Sequence, residues 1–344
     1  MLPPVSVLAE RLTAQLLAGP PATAPTAVAE RLLAIQSQDL RGARLAIRAR
    51  STGLSAADID RAMTQERSLL VTWLNRGTLH MVRTEDYGWL HTLTAPRLET
   101  ANNRRLTQEG VTPNAAQRGV LQIERALAEE GPLDRDRLRE RVASAGVRTQ
   151  GQAFVHQLVA ASIQGLIVRG PVVDGRHAFG LVRDWLGEQP PVDRAHALAE
   201  LARRYLAGHG PATDRDLARW AGLPLGDARA GLRAIASKLG ERDDGLLELA
   251  RSARAAPLPP PRLLGAFEPL LLGWGSRSEV LGDAEPRIVS GGVFRPLVLA
   301  RGRAVGTWTV SPRGVATELF GRLSAAERTA LEDDAGDVVR FLGA

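Results

Sequence analysis

Two stretches of this chain repeat the same local order. Gly131-Pro132-Leu133-Asp134-Arg135-Asp136-Arg137-Leu138 follows a long amphipathic run, and Gly210-Pro211-Ala212-Thr213-Asp214-Arg215-Asp216-Leu217 follows another about 79 residues later. In each, Gly-Pro closes one helix and an acidic start opens the next, where an N-cap is needed. A third helical run and β-rich residues around a turn come after both. Three helices and a hairpin is the order of a winged helix-turn-helix, and internal repetition constrains a fold more than any single local pattern. Gly19-Pro20-Pro21-Ala22-Thr23 holds the same place in an earlier unit. The sequence therefore predicts three tandem winged helices.

The first unit spans 1–115. Residues 5–18 (Val5, Leu8, Leu12, Leu16, Leu17) read as an amphipathic helix, a second helix starts near Thr26, and a third runs from Ser55 to Glu66. Two β-rich runs, 69–74 and 78–82, turn at Asn75-Arg76-Gly77, and helices around 84–106 brace them. The second unit, 116–188, has helices over 116–130, 135–144 and 151–164, with Asp174-Gly175 as a two-residue hairpin turn. The third, 192–256, has helices over 193–208 and 225–239 with one from Asp214 between them, and a short wing after Asp243-Asp244-Gly245. Pro257-Leu258-Pro259-Pro260-Pro261 is a stiff linker. Beyond it, 262–344 reads as strands over 263–272, 287–289, 297–300 and 305–310, then a helix with Ser324 and Glu327 in a capping box. The expected fold class is mainly α with a small β component (α+β): three winged helices and a C-terminal α+β module.

The totals exclude several chemistries. Without cysteine there are no disulfides, thiol nucleophiles or Cys-ligated metals. The histidines (His80, His91, His156, His177, His196, His209) have no i, i+4 ligand spacing, so no metal site is expected. No Walker-type loop is present, and Ser37, Ser144 and Ser162 lack a nucleophile-elbow context, so no cofactor is expected either. No run approaches 18 apolar residues, and Met1-Leu2-Pro3-Pro4-Val5 does not open a signal peptide, which predicts a cytoplasmic protein with no membrane partner. A net charge of +6 permits a polyanionic partner without demanding one; all cations but Lys238 are arginine, whose planar fork suits phosphate and base edges, but a G+C-rich genome produces the same bias and is the preferred cause.

Within the first unit, Ala34-Ile35-Gln36-Ser37-Gln38-Asp39 ends an apolar helical run. In a helix, residues i and i+2 are turned by roughly 200° and would point apart. Where helix gives way to extended chain they share a face, and two neutral amides can converge on a water or a sugar. The alternative is a pair of solvated amides at a fraying helix end. Arg41, Arg44 and Arg48 share one face if the following segment is helical. Arg76, at the hairpin tip, is a candidate groove contact.

The chain resembles the bacterial AlkZ/YcaQ-type DNA glycosylases, tandem winged-helix proteins that excise alkylated bases and unhook interstrand crosslinks. The resemblance covers essentially the whole chain. It lies in Leu33-Ala34-Ile35-Gln36-Ser37-Gln38, in Leu74-Asn75-Arg76-Gly77-Thr78-Leu79-His80, in Leu264-Gly265-Ala266-Phe267-Glu268-Pro269-Leu270 with Arg277-Ser278, and in Gly302-Arg303-Ala304-Val305-Gly306-Thr307-Trp308. It implies that Gln36 and Gln38, the outer positions of the family's Gln–apolar–Gln signature, are catalytic. Ser37 stands where the signature is apolar, and Glu268 where many relatives have Asp. The implied activity is monofunctional hydrolysis of the N-glycosidic bond of alkylated purines in double-stranded DNA by a monomer. Arg41, Arg44, Arg48, Arg76, Arg277 and Arg295 are the DNA-contact candidates. The rival reading is a non-catalytic winged-helix regulator, which would prefer a defined sequence to damage.

Overall fold

The computed structural model describes residues 6–173 and 176–343, so the expected turn at Asp174-Gly175 and the segment Met1–Val5 lie outside the described residues. Along the chain, helices α1 (Val7–Ala14) and α2 (Pro25–Leu32) lead to the short strand β1 (Ile35–Gln36) and helix α3 (Leu40–Arg48). Helix α4 (Ala56–Thr64) precedes strands β2 (Leu69–Leu74) and β3 (Thr78–Arg83). There follow α5 (Tyr87–Thr94), α6 (Glu99–Gln108), α7 (Pro113–Glu130), β4 (Leu133–Asp134), α8 (Arg135–Ser144), α9 (Ala153–Ile163), β5 (Ile167–Val173), β6 (Arg176–Leu181) and α10 (Val182–Leu186). Helices α11 (Arg194–His209), α12 (Asp214–Ala221) and α13 (Leu225–Ala234) come next. The last stretch holds β7 (Arg262–Leu264), α14 (Ser278–Leu281), α15 (Glu285–Ile288), β8 (Val289–Ser290), β9 (Val293–Phe294), β10 (Leu297–Ala300), β11 (Arg303–Ser311), β12 (Gly314–Leu319) and α16 (Ala325–Leu342). No helix among the described residues is long and apolar enough to cross a membrane. The fold class is α+β, largely helical with small antiparallel sheets.

The chain forms two compact units. One joins Met1–Ile59 to Leu198–Ala344, and the other is Asp60–Ala197. The expected first module, 1–115, is thus divided, because its hairpin bonds to the hairpin of the next repeat. Val71 of β2 pairs with Arg169 of β5, and the strands run β3-β2-β5-β6-β4 in one sheet. Under it lies the core of the central unit, where Trp73 stacks on Phe179 at 6.4 Å and packs with Ile123, Leu138, Phe154 and Leu158.

The repeated Gly-Pro segments work as their sequences imply. Asp134 caps α8 by accepting the Arg137 N–H at 2.9 Å, while Leu133 pairs with Phe179 on the wing. Thr213 and Asp216 form a capping box on α12, and Ala212 bridges Leu247. In the first repeat Ala22 bridges Ser51, just beyond α3, not a wing.

Four elements differ from expectation. A fourth helix, α3, stands between the Gln pair and the third expected helix, started by Asp39 as N-cap. The third wing is reduced to the bridges Ala212–Leu247 and Leu239–Leu249, and α13 ends at Ala234 before a 3₁₀ turn at Ala236–Lys238. The strand expected over 263–272 stops at Leu264, since Phe267 takes a positive φ and Pro269 opens a 3₁₀ turn. Of residues 287–289, Arg287 and Ile288 end the helical turn α15, which carries a proline in its first positions, and only Val289 is extended, opening β8. The four-stranded sheet of this region runs β12-β11-β10-β7, with α16 starting at the Ser324–Glu327 capping box.

Candidate active site

Helix α2 buries Val28, Ala29 and Leu32 and ends there, because Leu33 adopts φ 63°. With ψ −47° and the Ala34 N–H donating to the Leu32 carbonyl at 2.8 Å this is a γ-turn, a rare backbone conformation that costs about 1–3 kcal/mol. It turns the chain from helical into extended backbone at Ile35–Gln36, the transition that puts i and i+2 on one face. Gln36 and Gln38 meet there: Gln36 Nε2 donates to Gln38 Oε1 at 2.7 Å. Gln36 is 7% exposed and Gln38 is exposed, so the pair stands at the edge of the buried core. Ser37, on the other face, is fully buried and its hydroxyl donates to the Ile35 carbonyl at 2.8 Å. The apolar position of the family signature is thus filled by a hydroxyl that satisfies itself on its own backbone.

The Gln–Gln bond leaves Gln36 Oε1 as an acceptor and Gln38 Nε2 as a donor. A water molecule can donate one proton to the first and accept from the second, which fixes its remaining lone pair in space. Asp39 is occupied otherwise. Its Oδ1 accepts the N–H groups of Arg41 at 2.9 Å and Gly42 at 3.2 Å, capping α3 directly after the pair.

Helix α3 is seated by contacts the sequence reading did not identify. A Cβ on Gly42 would lie 2.3 Å from the Ala266 carbonyl oxygen, and one on Gly265 would lie 2.9 Å from the Gly42 Cα, so the two backbones touch. Two residues past the end of α3, Arg50 is fully buried and bonds the Glu268 carboxylate, Gln15 Oε1 at 2.8 Å, and the carbonyls of Gln15 and Ala46. Between these two anchors Phe267 is held at φ 54°. The available signal was Gly42 itself, a glycine inside an otherwise helical pattern. His209, one of the six histidines weighed above, is a buried core residue: it stacks on Tyr205 at 4.8 Å, and burial pushes its imidazole down to about 3.

The candidate arginines separate. Arg41 is exposed beside the pair, and Arg44 is half-buried. Arg48 is 4% exposed, with Asp334 gripped through both terminal nitrogens at 3.0 Å, Asp337 at 3.0 Å and the Leu263 carbonyl at 2.7 Å. That set ties α3 to α16 and β7. Arg277 bonds Glu285 at 3.0 Å and lies 5.1 Å over the Phe294 ring, while Arg295, after β9, is exposed. Arg76 is exposed at the tip of the β2–β3 hairpin in the central unit. Among the described residues no three His, Asp or Glu side chains converge as a metal set.

The profile described as DNA glycosylase AlkZ-like matches residues 29–341. The interstrand DNA cross-link repair glycosylase of Streptomyces sahachiroi is 28% identical over a 363-residue alignment that covers 98% of this chain and 96% of the relative. The solved structure of Streptomyces sahachiroi DNA glycosylase AlkZ superposes with a TM-score of 0.77 at 25% identity, covering 98% of this chain and 96% of that one. A chain matched along nearly its whole length, with a hydrogen-bonded Gln pair at the helix-to-strand transition, belongs to the AlkZ-like family of DNA glycosylases.

Proposed function

We propose that Gln36 and Gln38 orient the water that hydrolyses the N-glycosidic bond of an N3- or N7-alkylated purine in double-stranded DNA. The observation that carries this reading is the 2.7 Å amide–amide bond, which presents one acceptor and one donor at the edge of the core. An alkylated purine is cationic. When its C1′–N bond breaks, the bonding pair neutralises the base, so no general acid is required. The sugar becomes oxocarbenium-like, the held water adds its oxygen at C1′, and its proton passes to solvent, because an amide is not a base. An undamaged purine leaves as an anion and lacks this activation, so the chemistry itself selects damage.

The substrates are bulky N7 or N3 adducts or interstrand crosslinks; the relative's name gives interstrand DNA cross-link repair for that protein. The chain acts as a cytoplasmic monomer in DNA repair or genotoxin self-resistance. Arg41, Arg44, Arg76, Arg277 and Arg295 carry the phosphate-contact reading, joined by Arg229 and Arg233 on α13. Arg48, spent on two carboxylates, acts by seating α3.

The test is base release from duplex DNA containing N7-methylguanine. Gln36→Ala and Gln38→Ala should each lower release by about 100-fold or more with duplex affinity retained, the scale on which positioned groups act. Binding without release by the wild type, across methyl, bulky and crosslinking adducts alike, would favour a regulator instead.

A further inference from the structure

The segment 264–268 does more than brace helix α3. Gly42, whose N–H holds the Asp39 carboxylate next to Gln38, is in backbone contact with Gly265 and Ala266. Glu268, three residues past Gly265, is fixed to Arg50 in the fully buried pair, and its Oε1 also accepts the Leu270 N–H at 3.3 Å. Phe267 stands between these anchors, so its backbone is held from both sides. The left-handed backbone there suits glycine, yet the side chain is aromatic and half-buried rather than enclosed. Phe294 supports it from one side, ring centroids 5.7 Å apart and tilted by 45°. Arg277 covers Phe294 in turn, which occupies the face of that second ring.

On the reading of the Gln pair given above, we propose that Phe267 is a substrate-stacking residue whose ring face takes the cationic alkylpurine while Gln36 and Gln38 hold the water. Two properties recommend it for that purpose. A π face attracts a delocalised cation and has no comparable preference for a neutral purine, so stacking would reinforce the selectivity for damage. Asp39, next to Gln38, accepts the Gly42 N–H, and Gly42 touches the backbone of Ala266, next to Phe267; this short path ties the two segments together, so base and water would be positioned by one frame.

Three variants separate stacking from packing. Phe267→Tyr keeps the π face, Phe267→Leu keeps apolar bulk without it, and Phe267→Gly removes the ring while accepting the positive φ, so folding is not at risk from the backbone. Single-turnover release of N7-methylguanine at saturating enzyme, with the affinity for undamaged duplex in parallel, is the readout. The leucine and glycine variants should release base about tenfold more slowly or worse, the tyrosine variant within about twofold of wild type, and all should bind undamaged duplex alike. Wild-type release that persists in the leucine variant would overturn the assignment while leaving the Gln pair intact. A tyrosine variant as slow as leucine would also overturn it, marking a packing role. A wild type that releases no base from methyl, bulky or crosslinked duplex would sink the hydrolytic reading and this one together.

Discussion

Helices α9 and α13 hold the same place in their repeats, the third helix before the wing, yet they meet their surroundings differently. In α9, Ala153, Phe154 and every residue from Gln157 to Ile163 are buried, and only Val155 and His156 reach partial exposure. Helices α6 and α7 and strands β2 and β5 close around it. In α13, only Ala228, Gly231 and Leu232 are buried, and Gly226, Arg229, Arg233 and Ala234 face water. A winged helix that reads a groove does so with the exposed face of its third helix. The central unit has no such face on α9, so this helix is core rather than a groove reader, and the proposed contacts of the unit with DNA are left to hairpins such as the one carrying Arg76. The repeat fixes the order of elements. The residues within each helix decide which of them is a core.

The largest expected effect tests the buried half of that contrast. Phe154→Ala should destabilise the protein by about 3–5 kcal/mol in urea unfolding, the usual cost of removing a fully buried aromatic ring. Arg233→Ala, on the open face of α13, should stay within about 0.5 kcal/mol. A cost below about 1 kcal/mol at Phe154 would mean that α9 is loosely held, and its reading as core would fail.

Acid should affect both units alike, by a smaller amount. Each contains one deeply buried histidine: His80 on β3 and His209 at the end of α11. Burial lowers both imidazoles from 6.5 to about 3; the Arg76 charge acts in the same direction on His80 and the Arg50 charge on His209, against the carbonyl bonds to Thr78 and Tyr205. The unfolded chain therefore takes up these protons first as pH falls. The stability the neutral rings contribute is complete above about 6.5 and is lost progressively toward 3, at most about 1.4 kcal/mol per pH unit for each ring. Between pH 7 and pH 5 each histidine should account for a loss of about 2 kcal/mol. His80→Phe and His209→Phe should each remove about half of the paired effect in urea midpoints. An acid slope that neither variant changes would show that these rings are not the titrating groups.

Much of this organisation was legible because it rests on local chemistry. Asp134, Thr213 and Ser324 are caps that side-chain oxygens ahead of an apolar run make easy to place, whereas the helix-to-extended break ahead of the Gln pair rests on Leu33 at φ 63°, which no local pattern marks and which the sequence left open beside a fraying helix end. The fate of α9 was legible too, in principle: Ala153-Phe154-Val155-His156-Gln157-Leu158-Val159-Ala160-Ala161 is apolar nearly all round, the mark of a helix with no wet side. What the sequence did not disclose depends on partners far along the chain. Arg48 follows Arg41 and Arg44 on one helical stripe, but Asp334 and Asp337 take it into the interior from 286 and 289 residues away. The clamp of Gly265, Ala266 and Glu268 on α3, and the Val71–Arg169 pairing that merges two wings into one sheet, are likewise long-range and carry no local period.

The smallest effect, and the one that sharpens the contrast from its open side, concerns charge on α13. Arg229 donates to Asp214 at 2.6 Å, but that pair is half exposed and stabilises little in high dielectric, so reversing the charge should not unfold the helix. If α13 faces phosphates, each arginine releases a counterion on binding, and log Kd should lose about 0.9 of its slope against log salt per contact removed. Arg229→Glu with Arg233→Glu should then weaken binding to undamaged duplex, flatten that slope by roughly two, and leave the rate of base release from saturated enzyme unchanged. Arg76→Glu, on a hairpin of the central unit, should flatten the slope by about one. An α13 pair that leaves the salt slope at its wild-type value, beside an Arg76 variant that lowers it, would make the open face of α13 as silent toward DNA as the buried face of α9. The whole of duplex recognition by the repeats would then rest on hairpins.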